Sequence, residues 1–402
     1  MTKGWKELGL PRTVFVLGLV SFFTDLSSEM IYPLLPVFLA ETLGASAAAL
    51  GIIEGVAEST ASVLKLVSGF LSDLMKKRKI WVLGGYGLSS AMRPLIGLAR
   101  VWPAVLFLRF LDRVGKGLRT SPRDALIAEA TPASIRGRAY GFHRSMDHAG
   151  AVAGPLVAAL LLSPAFGISM RSVFLWSFVP GIVVICLIVF GVKETAKTAA
   201  PAAAPPAPGP GAGTKSLSRP FKGFLAANCL FTLGNSSDAF LLLYLAYRGV
   251  SPEWIAILWS CLHVVKMAST YICGRLSDSC GRPVLILAGW LLYAAVYAAF
   301  GLELSLPGTI AVFLCYGLYY GFTEPCEKAL VADLSSQTRR GTAFGWYHAV
   351  TGFSALPASI LFGVLYKAFG APAAFFTGAA LALCACPVLM IFVGKNPVCG
   401  ME

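Results

Sequence analysis

The chain has 402 residues, of which 56% are hydrophobic and 13% charged, and its mean hydropathy is +0.72. A soluble domain of ordinary composition does not reach that figure. The net charge of +13 would suit nucleic acid if the cations formed one stripe, but they sit at the ends of apolar runs, so no nucleic-acid partner is expected.

A bilayer core about 30 Å thick takes roughly 20 apolar residues per helical crossing. Open sheets leave edge amides unsatisfied in hydrocarbon, and no run here alternates as a barrel strand does. An all-α membrane protein is therefore predicted. The first span, 13–40, carries Asp25 and Glu29 one turn apart, and these acids argue against a cleaved leader, so the span is expected to be retained. The second, 47–72, holds Glu54, Glu58, Ser62 and Lys65 in one polar stripe. A third, 80–99, leads to a fourth at 101–118 with Arg109, Asp112, Arg113 and Lys116. The fifth, 137–163, holds His143, Arg144, Asp147 and His148, and the sixth covers 170–192.

Residues 193–221 form an Ala/Pro/Gly-rich tract too poor in bulk to build a core, read as a disordered cytoplasmic linker between halves at 1–192 and 222–402. The second half repeats the count: 222–247 with Asp238, 254–276 with His263, Lys266 and Met267, 283–302, 307–331 with Tyr316, Tyr320, Glu324, Glu327 and Lys328, 342–366 with Trp346 and His348, and 372–394. One set of alternate connections gathers most of the cations, including the run Lys76, Lys77, Arg78 and Lys79, while the opposite set has little beyond Arg100, Arg171, Arg248 and Lys367. The positive-inside rule then predicts a multi-pass protein of the cell's inner membrane with both termini cytoplasmic.

The halves echo each other. "GFLSD" at 69–73 returns as "GRLSD" at 274–278, and "ALIAEATPASIRGRAYGF" at 125–142 matches "ALVADLSSQTRRGTAFGW" at 329–346. The loop motif G-x-L-[SA]-D-x-x-G-R-[RKP] fits Gly274, Leu276, Ser277, Asp278, Gly281, Arg282 and Pro283 in full; the first copy keeps Gly69, Leu71, Ser72 and Asp73 but has Lys76 and Lys77 where glycine and arginine are usual. Arg113, Lys116 and Gly117 loosely match R-x-x-[QK]-G, and Gly141, Gly150, Gly154 and Pro155 have the spacing G-x8-G-x3-G-P.

On these motifs the chain resembles the major facilitator superfamily over its whole length, and the fifth-span motif resembles that of exporters exchanging substrate for protons. The resemblance implies twelve transmembrane helices in two pseudo-symmetric six-helix bundles. It implies a gate in which Asp73 and Asp278 face helix N-termini of the opposite half, with Gly69, Gly274, Arg282, Gly150, Gly154 and Pro155 shaping the interface.

An ionisable group in hydrocarbon costs about 2.5 to 3.5 kcal/mol at mid-bilayer and so usually faces a cavity. Asp25, Glu29, Glu58 and Asp147 are the proton-coupling candidates, because a carboxylate that changes exposure between two states can bind and release a proton. Glu54, Arg109, Arg113, His143, Arg144, Asp238, His263, Tyr316, Tyr320, Glu324 and Trp346 are expected to line the substrate cavity. His263 and Met267 suit a soft metal, but packing explains them better, and no metal or cofactor is expected. His143, Asp147 and His148 alone resemble an enzyme's cluster, without a phosphate loop or H-E-x-x-H motif, so no enzyme is expected. The reading is a monomeric secondary transporter exporting a small organic solute against protons, with an anionic solute, such as an organic acid or metal chelate, as the alternative.

Overall fold

The computed structural model describes residues 7–45, 47–192, 217–250 and 252–393. Among them the chain is helical throughout, with no strand. The expected linker lies outside the described residues as far as 216, and so do the side chains of Glu54 and Glu58.

The first half comprises α1 (Arg12–Glu29), α2 (Ala47–Met75), α3 (Arg78–Leu95), α4 (Trp102–Ala130), α5 (Arg136–Leu162), α6 (Met170–Trp176) and α7 (Phe178–Gly191). The second comprises α8 (Arg219–Gly234), α9 (Ala239–Tyr247), α10 (Pro252–Cys280), α11 (Arg282–Gly301), α12 (Leu306–Leu334) and α13 (Arg340–Val393). Proline near the start of α4, α8, α11 and α12 fits positions where a missing N–H costs nothing. Eight segments among the described residues are long and apolar enough to cross a bilayer. The 54 residues of α13 would extend about 80 Å as a straight helix, but Gly370, at φ +86°, breaks it into two arms.

The halves meet most extensively through two helix pairs, α5 with α10 and α2 with α13, and α12 and α13 also touch α5 and α4. Both crossings run through glycine. A Cβ on Gly141 would lie 2.9 Å from the Gly274 Cα, and one on Gly274 would lie 2.6 Å from the Gly141 Cα. At the equivalent crossing, a Cβ on Gly69 would collide with the Gly341 carbonyl. Small residues let backbones approach where the solvent is lipid and no hydrophobic force drives association.

The turns after the two repeated motifs share a left-handed residue, Gly281 at φ +89° and Lys76 at φ +54°. Both turns thus need a positive φ at the equivalent position, which glycine supplies freely in the second copy and lysine adopts in the first at a cost of roughly 1–2 kcal/mol.

Candidate functional site

Helix α5 brings the site together because its glycines seat α1. A Cβ on Gly150 would lie 3.0 Å from the Asp25 Cβ, and one on Gly154 would lie 2.6 Å from the Glu29 Cβ. The two α1 acids are thereby pressed against α5 one turn apart. Glu29 is within electrostatic reach of Lys116, Arg93, Arg113 and Arg109; Asp25 is within reach of Arg119 and Arg93 and of the acids Asp147 and Glu29. Among the described residues, neither α1 carboxylate makes a hydrogen bond or a direct ion pair.

Asp147, one turn before Gly150 on α5, is held quite differently. Arg144 Nη1 and Ser21 Oγ both donate to its carboxylate, and His143 Nδ1 lies 3.8 Å away. The same guanidinium reaches across to α12. Arg144 Nε donates to Glu324 Oε2 at 2.8 Å, Nη2 donates to Oε1, and His148 Nε2 sits 3.3 Å from Oε2. One arginine thus ties an acid of the first half to an acid of the second, and the paired fork geometry makes this a strong contact.

A second cross-link lies one turn along α12. Asp124, fully buried in α4, pairs with Lys328 at 3.1 Å, with His348 at 2.9 Å and with its neighbour Arg123 at 2.9 Å. Glu327 accepts from Tyr347 at 2.7 Å and from Trp290 at 3.4 Å. Asp112 is locked to Arg93 at 3.0 Å on α3 and to Arg109 at 3.4 Å on its own helix. The expected spans at 101–118 and 137–163 leave Arg123 and Asp124 in the connection between them, and Arg93 is not among the expected site residues. A lone arginine inside the third apolar run was the available signal for Arg93.

At the ends of the repeated helices, Asp73 accepts from the backbone N–H groups of Gly341 at 3.0 Å and Thr342 at 2.6 Å and from the Thr342 hydroxyl at 2.7 Å. Arg78 donates to Asp73 at 2.7 Å and to Glu129 at 2.9 Å. Asp278 accepts from the backbone N–H groups of Gly137 and Arg138, both at 2.8 Å, and from Arg282 at 2.8 Å. Arg282 and Arg136 then share Asp333. Each carboxylate satisfies orphan donors in the first turn of a helix in the other half, where the helix dipole also favours it.

In the second half the span at 222–247 breaks at Asn235–Ser237, between α8 and α9. Non-helical backbone at membrane depth requires a protein-lined or wet surrounding. A cavity of about 530 Å³ lies there, lined by Ser62, Thr232, Asn235 and Ser236, by Asp238 and Tyr320, and by Thr351 and Ser359. Asp238 accepts from Tyr316 at 2.7 Å, Tyr320 at 2.9 Å and Lys266 at 3.2 Å, and the Lys266 ammonium sits 3.7 Å from the Tyr320 ring centre. His263 contacts the rings of His148 and Trp259. Trp346 is 42% exposed and stands apart from this lining.

The Major Facilitator Superfamily model matches residues 17–326 and 223–398. The chain belongs to the major facilitator superfamily. This superfamily member is similar to the uncharacterized MFS-type transporter MJ1317 of Methanocaldococcus jannaschii, with 32% identity over 370 residues and 89% of each chain covered. A shorter likeness, 28% over 138 residues and 34% of each chain, is to the multidrug resistance protein MdtH of Cronobacter sakazakii. The fold is that of the human organic anion transporter MFSD10, at a TM-score of 0.76, 18% identity, and coverage of 94% of this chain and 99% of that one. The family is one of multi-pass membrane transporters, not enzymes.

Proposed function

We propose that the chain is a secondary active transporter working by alternating access, with two pseudo-symmetric bundles of six helices rocking about a midplane cavity. It exports a small organic solute in exchange for protons across the inner membrane, with both termini cytoplasmic. The carrying observation is the contrast among the embedded acids. Asp147, Glu324, Asp124, Asp112 and Asp238 are each locked by direct cationic partners and Glu327 by the Tyr347 and Trp290 donors, whereas among the described residues Asp25 and Glu29 stand among cations with neither kind of lock. An acid of that kind can alternate between a proton and a nearby cation as the helices move.

The likeness to a multidrug resistance protein supports export. One charge crossing 100 mV releases about 2.3 kcal/mol, and a tenfold gradient costs about 1.4 kcal/mol. A single proton would therefore sustain roughly fiftyfold accumulation.

One observation favours an anionic solute. Among the described residues Arg93, Arg109, Arg113 and Lys116 lie within electrostatic reach of Glu29, and Arg119 lies within reach of Asp25. Counterflow in proteoliposomes under an imposed pH difference, over organic acids, metal chelates and cationic drugs, tests both readings. Saturable flux of any of them that responds to the pH difference supports proton-coupled transport, and selectivity for the acids supports an anionic solute. Flux indifferent to pH contradicts proton coupling.

A further inference from the structure

At the end of the α5–α10 crossing a groove of about 580 Å³ is lined by Arg138, Tyr271, Ile272, Arg275, Leu276, Asp278 and Ser279. We propose that this groove binds an anionic phospholipid, with the phosphate between Arg138 and Arg275 and an acyl chain along Ile272 and Leu276. The inference goes beyond transport itself and does not depend on which solute is carried.

Three features point to a lipid. Ile272 and Leu276 are exposed, at 61% and 42%, and stand one turn apart on α10 with Tyr271 beside them, so the groove has an apolar wall running along the membrane helix. Two arginines, Arg138 and Arg275, are among its lining residues, and Arg138 Nε is buried with no hydrogen-bond partner. The one acid in the lining is already neutralised, since Asp278 accepts from Gly137 N–H, Arg138 N–H and Arg282. A basic pocket between transmembrane helices, at the cation-rich end of the spans, is where anionic headgroups are recognised. A free phosphate would satisfy the arginines but would leave the apolar wall unused.

The position gives the lipid a consequence. Arg138 lies on α5 and Arg275 on α10, and Asp278, which joins these helices, lines the same groove. A phosphate bridging the two arginines would hold the two halves together at this end.

The test counts the lipid that copurifies with the full chain from vesicles of equal phosphatidylglycerol and phosphatidylcholine. Wild type is expected to retain phosphatidylglycerol preferentially. Each surface arginine is worth roughly a fivefold preference, so R275Q lowers the ratio about fivefold and R138Q/R275Q roughly thirtyfold. R138K/R275K keeps most of it. Washing with inorganic phosphate is expected to leave the retained lipid in place. An unchanged ratio in R275Q overturns the proposal even if the double variant fails to fold, and displacement by inorganic phosphate shows a simple anion site instead.

Discussion

Gly154 on α5 faces Glu29 on α1 so closely that a Cβ added to the glycine would lie 2.6 Å from the Glu29 Cβ. The glycine series is therefore more than a general packing groove: it fixes where the acid of the neighbouring helix stands. Gly154→Ala must push α1 away from α5, and overpacking of this kind costs typically about 1–3 kcal/mol. The variant is expected to lose most proton-driven transport while remaining folded, with a lowered melting temperature in detergent. Wild-type flux at wild-type stability would show that the contact has slack.

The Arg144–Glu324 contact joins the halves inside the membrane. Removing one partner of a buried pair leaves an uncompensated charge and costs about 3–5 kcal/mol. Glu324→Gln should therefore destabilise strongly. Arg144→Gln/Glu324→Gln should destabilise less than the sum of the single changes, although Asp147 then loses its partner too. A double-mutant cycle on thermal unfolding measures the coupling, and strict additivity would mean the two groups do not share a contact.

Asp278 caps α5 through the N–H groups of Gly137 and Arg138. Asp278→Asn weakens that cap by about 1 kcal/mol, shifting the balance toward the open arrangement at this end roughly fivefold. Cys326 is fully buried behind the crossing, so its maleimide labelling, in a background with the other cysteines replaced by serine, should accelerate in Asp278→Asn. An unchanged labelling rate would remove Asp278 from the gate.

Lys76 occupies the left-handed turn position that glycine takes in the second copy. Lys76→Gly removes the strain but adds freedom to the unfolded chain, leaving a net gain of about 0.5–1 kcal/mol. A small rise in melting temperature is expected, and a fall would show that the lysine side chain contributes more than its backbone costs.

Much of this arrangement was legible in the sequence because it follows from spacing along single helices. Asp25 and Glu29 one turn apart and the glycine series of α5 belong to that class, while the helix-end placement of Asp73 and Asp278 comes from the internal repeat and the family resemblance it carries. The cross-links were not legible. Arg123 and Asp124 look like part of a charged connection, yet α4 continues to Ala130 and Asp124 there meets Lys328 and His348 from the other half. A pairing of that kind depends on which helices meet, and no local periodicity encodes it. Likewise Glu324 reads as one acid among several until Arg144 reaches it from α5.

The account rests on the α1 acids carrying the coupled proton. The most direct measurement is solute flux in proteoliposomes under an imposed pH difference, comparing wild type with Asp25→Asn, Glu29→Gln and Asp147→Asn, alongside solute exchange with no gradient. Neutralising Asp25 or Glu29 is predicted to abolish pH-driven accumulation while exchange persists, and Asp147→Asn is predicted to abolish it by breaking the Arg144 link between the two acids, leaving that guanidinium on Glu324 alone. Undiminished pH-driven accumulation with both Asp25 and Glu29 neutralised would contradict the account.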